Sequence, residues 1–186
     1  WGIFYEPRAK VDLTQRTLQA KHFFNLGFAT HPQYSFLGAT PDGLLNVGDQ
    51  LWLIEIKCPK TRSICDKVPY YYWLQVQTQL FVWSALLENH GLHLSGAIYS
   101  ENQYDDEGCL NHYCDRQIYL DHRWYTEHIL PLVQHYYQTT SDRDRDRVCD
   151  FDRKRSSTRT NKLDTDDTKT NKMSLSLSLS AVDSER

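Results

Sequence analysis

The chain has no run approaching the roughly 20 apolar residues that a membrane-crossing helix needs. It also lacks a basic surplus: 21 Lys and Arg stand against 24 Asp and Glu, for a net charge of −3. This counts against a nucleic-acid partner held by global charge and leaves a locally positive cleft as the way to hold one. Cysteine is sparse and odd in number. Cys58, Cys65, Cys109, Cys114 and Cys149 are scattered, and no secretory segment precedes them. Free thiols in a reducing, intracellular setting are therefore expected, nuclear in a eukaryote. Cys109, His112 and Cys114 lie near Asp115, but their spacing fits no paired zinc-ligand pattern. Aromatic residues nearly vanish from Thr139 onward, where only Phe151 remains. Such a stretch cannot bury enough apolar surface to offset its ordering entropy. The expected organisation is one domain over 1–138 and a disordered C-terminal tail over 139–186. In that tail Arg153-Lys154-Arg155 is too short to stand as an import patch, and the Ser-Leu alternation has no β-branched support for a strand.

What is present upstream suits a packed core: 12 Tyr, 5 Trp and 40% hydrophobic residues. Residues 2–22 read as a helix, with Pro7 tolerable near a first turn or as a kink. Residues 23–28 and 34–47 read as extended, followed by a strand over 50–57 that Pro59 ends. A loop to about Pro69 holds Lys60, Arg62 and Lys67. Tyr72, Val76, Leu80, Trp83 and Leu87 repeat in steps of three and four, which predicts a helix over 70–90 stopped by Gly91. Strands over 94–100 and 117–120 flank an acidic turn, and Asp121 caps a last helix over 124–138.

Chemistry concentrates in two words, Thr40-Pro41-Asp42-Gly43-Leu44 and Glu55-Ile56-Lys57-Cys58-Pro59. Alternation along the strand puts Leu51, Leu53, Glu55 and Lys57 on one face and Trp52, Ile54 and Ile56 on the other. Asp42 sits at a Pro-Asp-Gly bend, and the Gly48-Asp49 turn folds it back beside Glu55. Two carboxylates so placed can share a hard divalent cation, with Lys57 beside an attacking water. Each word alone reads more blandly, Pro-Asp-Gly as a common turn and Glu-x-Lys as a solvated charge pair. The two in this order, across a hairpin, point to metal-dependent phosphodiester cleavage.

Flanking words sharpen this. Trp1-Gly2-x-x-Tyr5-Glu6-x-x-Ala9 opens the chain, Gly38-Ala39 precedes Thr40-Pro41-Asp42-Gly43-Leu44, and Tyr72-Trp73-Leu74-Gln75-Val76-Gln77 follows the Glu-x-Lys strand. Over about residues 1–138 the series resembles the YqaJ-like viral recombinase (phage lambda exonuclease) family of the restriction-endonuclease-like PD-(D/E)xK superfamily. The resemblance implies an α/β fold with a central mixed sheet flanked by helices. It also implies a Mg²⁺- or Mn²⁺-dependent deoxyribonuclease that degrades double-stranded DNA ends 5′ to 3′. The exposed strand would go to a single-strand annealing protein, and processive relatives close into a ring, commonly a homotrimer. Asp42 and Glu55 match the metal-binding acids, with the Ile56 backbone carbonyl a further ligand. Lys57 matches the lysine that acts on water and the charged phosphate, and Glu6 the helix glutamate reaching the metal cluster. Gln75 and Gln77 match a glutamine pair of which at least one approaches the site.

Some relatives carry a further acid before the Pro-Asp, whereas 21–40 here contains none. The chain also begins within a motif, so it reads as a fragment, lacking the upstream segment with which the family helps grip a DNA end. On a helix Gln75 and Gln77 lie some 200° apart, so only one can point squarely into a site; Gln77 is the favoured one. Lys60, Arg62 and Tyr72 are the candidate DNA contacts, Tyr72 within an aromatic cluster able to stack frayed bases. Trp73 is expected to anchor its helix, and His31 to lie at the surface near the site. Two rival readings keep the same core: an endonuclease or nickase, and a catalytically idle DNA-binding module.

Overall fold

The computed structural model describes residues 2–64 and 67–140. Trp1, Cys65, Asp66 and 141–186 lie outside the described residues, and with them most of the expected tail, Arg153-Lys154-Arg155 and the Ser-Leu alternation. Helix α1 (Gly2–Arg16) buries Tyr5, Ala9 and Leu13, one residue per turn, and contains Pro7. Strands β1 (Ala20–Phe24), β2 (Ala29–Thr30), β3 (Gly38–Ala39), β4 (Gly43–Val47) and β5 (Gln50–Lys57) follow, then helix α2 (Tyr70–Glu88). The chain continues through β6 (Leu94–Tyr104) and β7 (Leu110–Ile118) into helix α3, which starts at His122. Asp121 caps α3 by accepting from the Trp124 N–H at 3.0 Å. The helix passes through a π-helical stretch, Tyr125–Ile129, and stays helical through residue 140.

The main sheet has the order β1-β4-β5-β6-β7, and β2 with β3 forms a separate two-stranded piece. Only β5 and β6 run parallel, with α2 as the crossover between them. This is a mixed α/β sheet flanked by helices, as expected. The alternation of β5 divides the core in two. Trp52, Ile54 and Ile56 pack with Tyr5, Ala9 and Leu13 of α1, whereas Leu53 packs with Val76, Leu80 and Val82 of α2. Glu55 and Lys57 therefore leave the strand on the α2 side. The β4–β5 hairpin turns through Gly48, whose φ of 62° suits glycine. The glycine of Pro-Asp-Gly serves a close approach. A Cβ at Gly43 would stand 2.3 Å from the Phe23 ring and 2.9 Å from the Phe24 carbonyl, where β1 lies against β4.

Several boundaries differ from the sequence expectation, among them the extended segment expected over 23–28, which is found as Ala20–Phe24, and the last helix, which starts at His122. The first helix ends at Arg16, because Gln19 at φ 63° turns the chain into β1. Of the extended 34–47 stretch only Gly43–Val47 joins the main sheet, while Gly38–Ala39 pairs with Ala29–Thr30. Helix α2 stops at Glu88, two residues before the expected His90. The largest difference is in β6 and β7, which are longer than expected. Glu101 and Asn102, expected in the turn, are buried within β6 together with Ser100, the expected strand end. Hydrogen bonding satisfies them there: Arg16 donates to Ser100 Oγ and Asn102 Oδ1 at 2.9 Å each, and to both Asp115 oxygens at 2.7 Å. The end of α1 is thereby fastened to β6 and β7.

Candidate active site

Glu55 is 2% exposed in the middle of the sheet, and three side chains converge on its carboxylate. Gln75 donates to Oε1 at 2.8 Å, Gln79 donates to Oε2 at 2.7 Å, and Lys57 forms an ion pair with Oε1. Gln75 and Gln79 are one helical turn apart, which brings both amides of α2 to the same point. The backbone N–H of Asp42 donates to the Ile54 carbonyl at 2.9 Å, and the Ile56 N–H donates back to Asp42 Oδ2 at 2.6 Å. Gly43 pairs with Ile54, so Asp42 comes opposite Glu55. The hairpin expected from the sequence thus joins Asp42, Glu55 and Lys57 in one place.

The electrostatics follow from that crowding. The Asp42 carboxyl is pushed up to about 6, first by burial, then by the negative charge of Glu55 and, more weakly, of Glu6; the Ile56 N–H and Lys57 oppose the rise. Burial, with Glu6 and Asp42 nearby, raises the Cys58 thiol to about 11 and keeps it neutral. Glu6 sits on α1 close enough to act on Asp42, but its own ion pair is with Lys10 at 2.9 Å.

Other expected site residues are placed differently. Gln77 is fully buried and faces away from Glu55: its amide donates to the Tyr119 carbonyl and accepts from the Asp121 N–H, both at 2.8 Å. It ties α2 to the start of α3, since a step of two residues on a helix turns the side chain some 200°. The preference for Gln77 over Gln75 is therefore reversed. Gln79 was missed; its signal was the four-residue step from Gln75 on an otherwise apolar helix. Arg62 is bound to Glu101, Nη2 to Oε1 at 2.6 Å. Tyr72 is half-buried under Lys57, with Nζ 4.9 Å from the ring centroid, whereas Lys60, Tyr70 and Tyr71 are exposed. Trp73 packs edge-on against Trp124 at 4.8 Å, the anchoring role expected. His31 is buried, not superficial, and stacks on Phe81 at 4.8 Å. Among the described residues no helix is long and apolar enough to cross a membrane, and no three His, Cys, Asp or Glu side chains converge to hold a metal. The Cys109–Asp115 segment forms the end of the turn before β7 and the first part of that strand.

The residues at Glu55 nonetheless fit a hard cation. The donors are oxygen only, two carboxylates and the main-chain carbonyl of Ile56. A carboxylate has about four acceptor positions, and the bonds at Glu55 and Asp42 leave at least one open on each. Gln79 Oε1, buried beside them, has no hydrogen-bond partner.

Residues 1–86 match the family model of the YqaJ-like viral recombinase domain. That segment contains Glu6, Asp42, Glu55, Lys57, Gln75 and Gln79. Among solved structures the chain is similar to the crystal structure of LHK-Exo in complex with dAMP. The TM-score is 0.57 at 24% identity, over 84% of this chain and 72% of that one. The likeness is one of fold. No curated protein matches the chain.

Two glutamines two residues apart should respond oppositely to truncation. Gln77→Ala removes two buried hydrogen bonds and leaves a cavity, and should cost about 2–4 kcal/mol in urea unfolding with Mn²⁺ affinity unchanged. Gln79→Ala should cost less stability and shift Mn²⁺ affinity, because it strips a donor from Glu55. A second effect follows from Asp42. Its folded value lies above the ordinary 3.8, so its contribution to metal-free stability is complete below about pH 4 and is lost as pH rises through about 6. Cation binding needs the ionised form, so Mn²⁺ affinity should fall about tenfold per unit below pH 6. Mn²⁺ titrations at several pH values across that range check this.

Proposed function

We propose that the chain is a divalent-metal-dependent deoxyribonuclease, a 5′-to-3′ exonuclease on double-stranded DNA ends. The observation that carries the reading is the convergence of Gln75, Gln79 and Lys57 on the buried Glu55, with Asp42 opposite. The match of residues 1–86 and the likeness in fold to LHK-Exo support it. Asp42, Glu55 and the Ile56 carbonyl would hold Mg²⁺ or Mn²⁺, with Glu6 reaching the cluster from α1. When bound, the cation would activate water and stabilise the charge of the phosphate undergoing attack.

The chain's own residues supply the rest. Gln75 and Gln79 hold both Glu55 oxygens by neutral donors, so the carboxylate is fixed in place without a second cation beside it. Lys57 is the cationic group beside it. As an ammonium it is placed to orient the attacking water by donating to it and to offset charge gathering on the phosphoryl oxygens. Its ring contact with Tyr72 limits where Nζ can go. Exposed Lys60, Tyr70 and Tyr71 border α2 and its preceding loop and are the surface for the DNA backbone and frayed bases. The resected product would pass to a single-strand annealing protein, and assembly into a ring of identical chains would give processivity. The functional domain is assigned to 1–138.

End-labelled linear and closed circular duplexes, each with and without Mg²⁺, test the reading. Mg²⁺-dependent loss of label from linear DNA alone is expected. Cleavage of both forms would make the protein an endonuclease, and cleavage of neither would leave a DNA-binding module. Lys57→Ala should keep cation affinity but lower the rate about 10²-fold or more, the scale of removing one acid–base or electrostatic group. A Lys57→Ala chain as fast as the parent would make the Glu55–Lys57 pair purely structural.

A further inference from the structure

A second buried carboxylate lies one strand from Lys57. Glu101 is 2% exposed, and the parallel register of β5 and β6 pairs it with Lys57, as it pairs Tyr99 with Glu55. Alternation along β6 puts Tyr99 and Glu101 on the face that Glu55 and Lys57 occupy. A charge so buried needs close partners. Tyr99 donates its hydroxyl to Oε1 at 2.5 Å, and Arg62 reaches Oε1 at 2.6 Å and Oε2 at 3.4 Å, a fork on both oxygens. Burial and the adjoining carboxylate raise the Tyr99 hydroxyl far above its ordinary range, so it remains the donor.

We propose that Glu101 is a positioning residue for phosphodiester cleavage, holding Arg62 at the edge of the site and, through Tyr99 and Tyr72, the side chain of Lys57. This rests on the nuclease reading. Two features of the cluster carry it. First, Lys57 has two buried acids within its reach along the sheet, Glu55 on its own strand and Glu101 across from it. Arg62 satisfies Glu101 bidentately, and Lys57 is left to pair with Glu55. Second, the contacts are continuous. The Tyr99 ring lies 5.8 Å from Tyr72, and Tyr72 lies under Lys57 Nζ at 4.9 Å. Replacing the Glu101 carboxylate by an amide weakens its hold on Arg62 and on the Tyr99 hydroxyl, so the seat of Lys57 loosens without any change in Asp42 or Glu55.

The test compares the full chain with Glu101→Gln and with Glu101→Gln/Arg62→Met, in which both charges of the pair are gone. Cleavage is measured at saturating DNA alongside melting temperature and Mn²⁺ affinity. Glu101→Gln should lower kcat tenfold or more with Mn²⁺ affinity unchanged, and the double variant should regain stability but not rate. Recovery of rate and stability together would overturn the proposal and make the pair structural. An activity-free readout uses chains whose lysines carry ¹³C-methyl groups, with the Lys57 signal identified by its absence in Lys57→Arg. Over the Tyr72 ring that signal should be displaced upfield, and Glu101→Gln should move it toward the free-lysine position. A signal that stays in place overturns the proposal, even if the parent chain cleaves no DNA and the nuclease reading itself has failed.

Discussion

The rest of the site depends on satisfying one carboxylate buried inside a sheet. Glu55 sits between hydrophobic layers, where a polar group without partners would cost several kcal/mol. Three donors meet it there, two amides from consecutive turns of α2 and the ammonium of Lys57. The fold exists in a form that can deliver them. The crossover helix between parallel strands β5 and β6 necessarily lies over the face from which Glu55 projects, and its N-terminal half presents Gln75 and Gln79 there. On the opposite face α1 seals the sheet with Tyr5, Ala9 and Leu13. The same helix brings Glu6 toward Asp42, adding to the negative field that raises the Asp42 carboxyl. A cation would relieve that field.

Much of this was legible before any coordinates. The two-residue period of 50–57 assigned Glu55 and Lys57 to one face, and the turn at Gly48-Asp49 set Asp42 beside them, because both rules act over a few residues. Packing between distant elements was harder to read. Gln75 and Gln77 are alike in sequence, and only the placement of Tyr119 and Asp121 sends Gln77 into a structural bond and leaves its neighbours Gln75 and Gln79 for the acid. Likewise Glu101 and Asn102 read as a turn, since nothing local reveals that Arg62 will satisfy the first and Arg16, more than 80 positions earlier, the second. Polar residues were misread wherever their partners lay far along the chain. Apolar periodicity, which needs no named partner, was read correctly.

The same asymmetry governs Arg62. As a basic residue in a loop after the Glu-x-Lys strand it reads as a DNA contact, but the buried Glu101 claims it. Arg62 is thereby made part of the scaffold beside Lys57, whereas Lys60 and the tyrosines at the start of α2 are exposed.

The central claim is that Asp42 and Glu55 form a cation site in the folded chain. Mn²⁺ binding to the full chain, followed by electron paramagnetic resonance at neutral pH, tests it most directly. The account predicts saturable binding that Asp42→Ala and Glu55→Gln each abolish while Gln77→Ala leaves it intact. Saturable binding that survives loss of both carboxylates, or no binding by the parent chain at millimolar Mn²⁺, would contradict it.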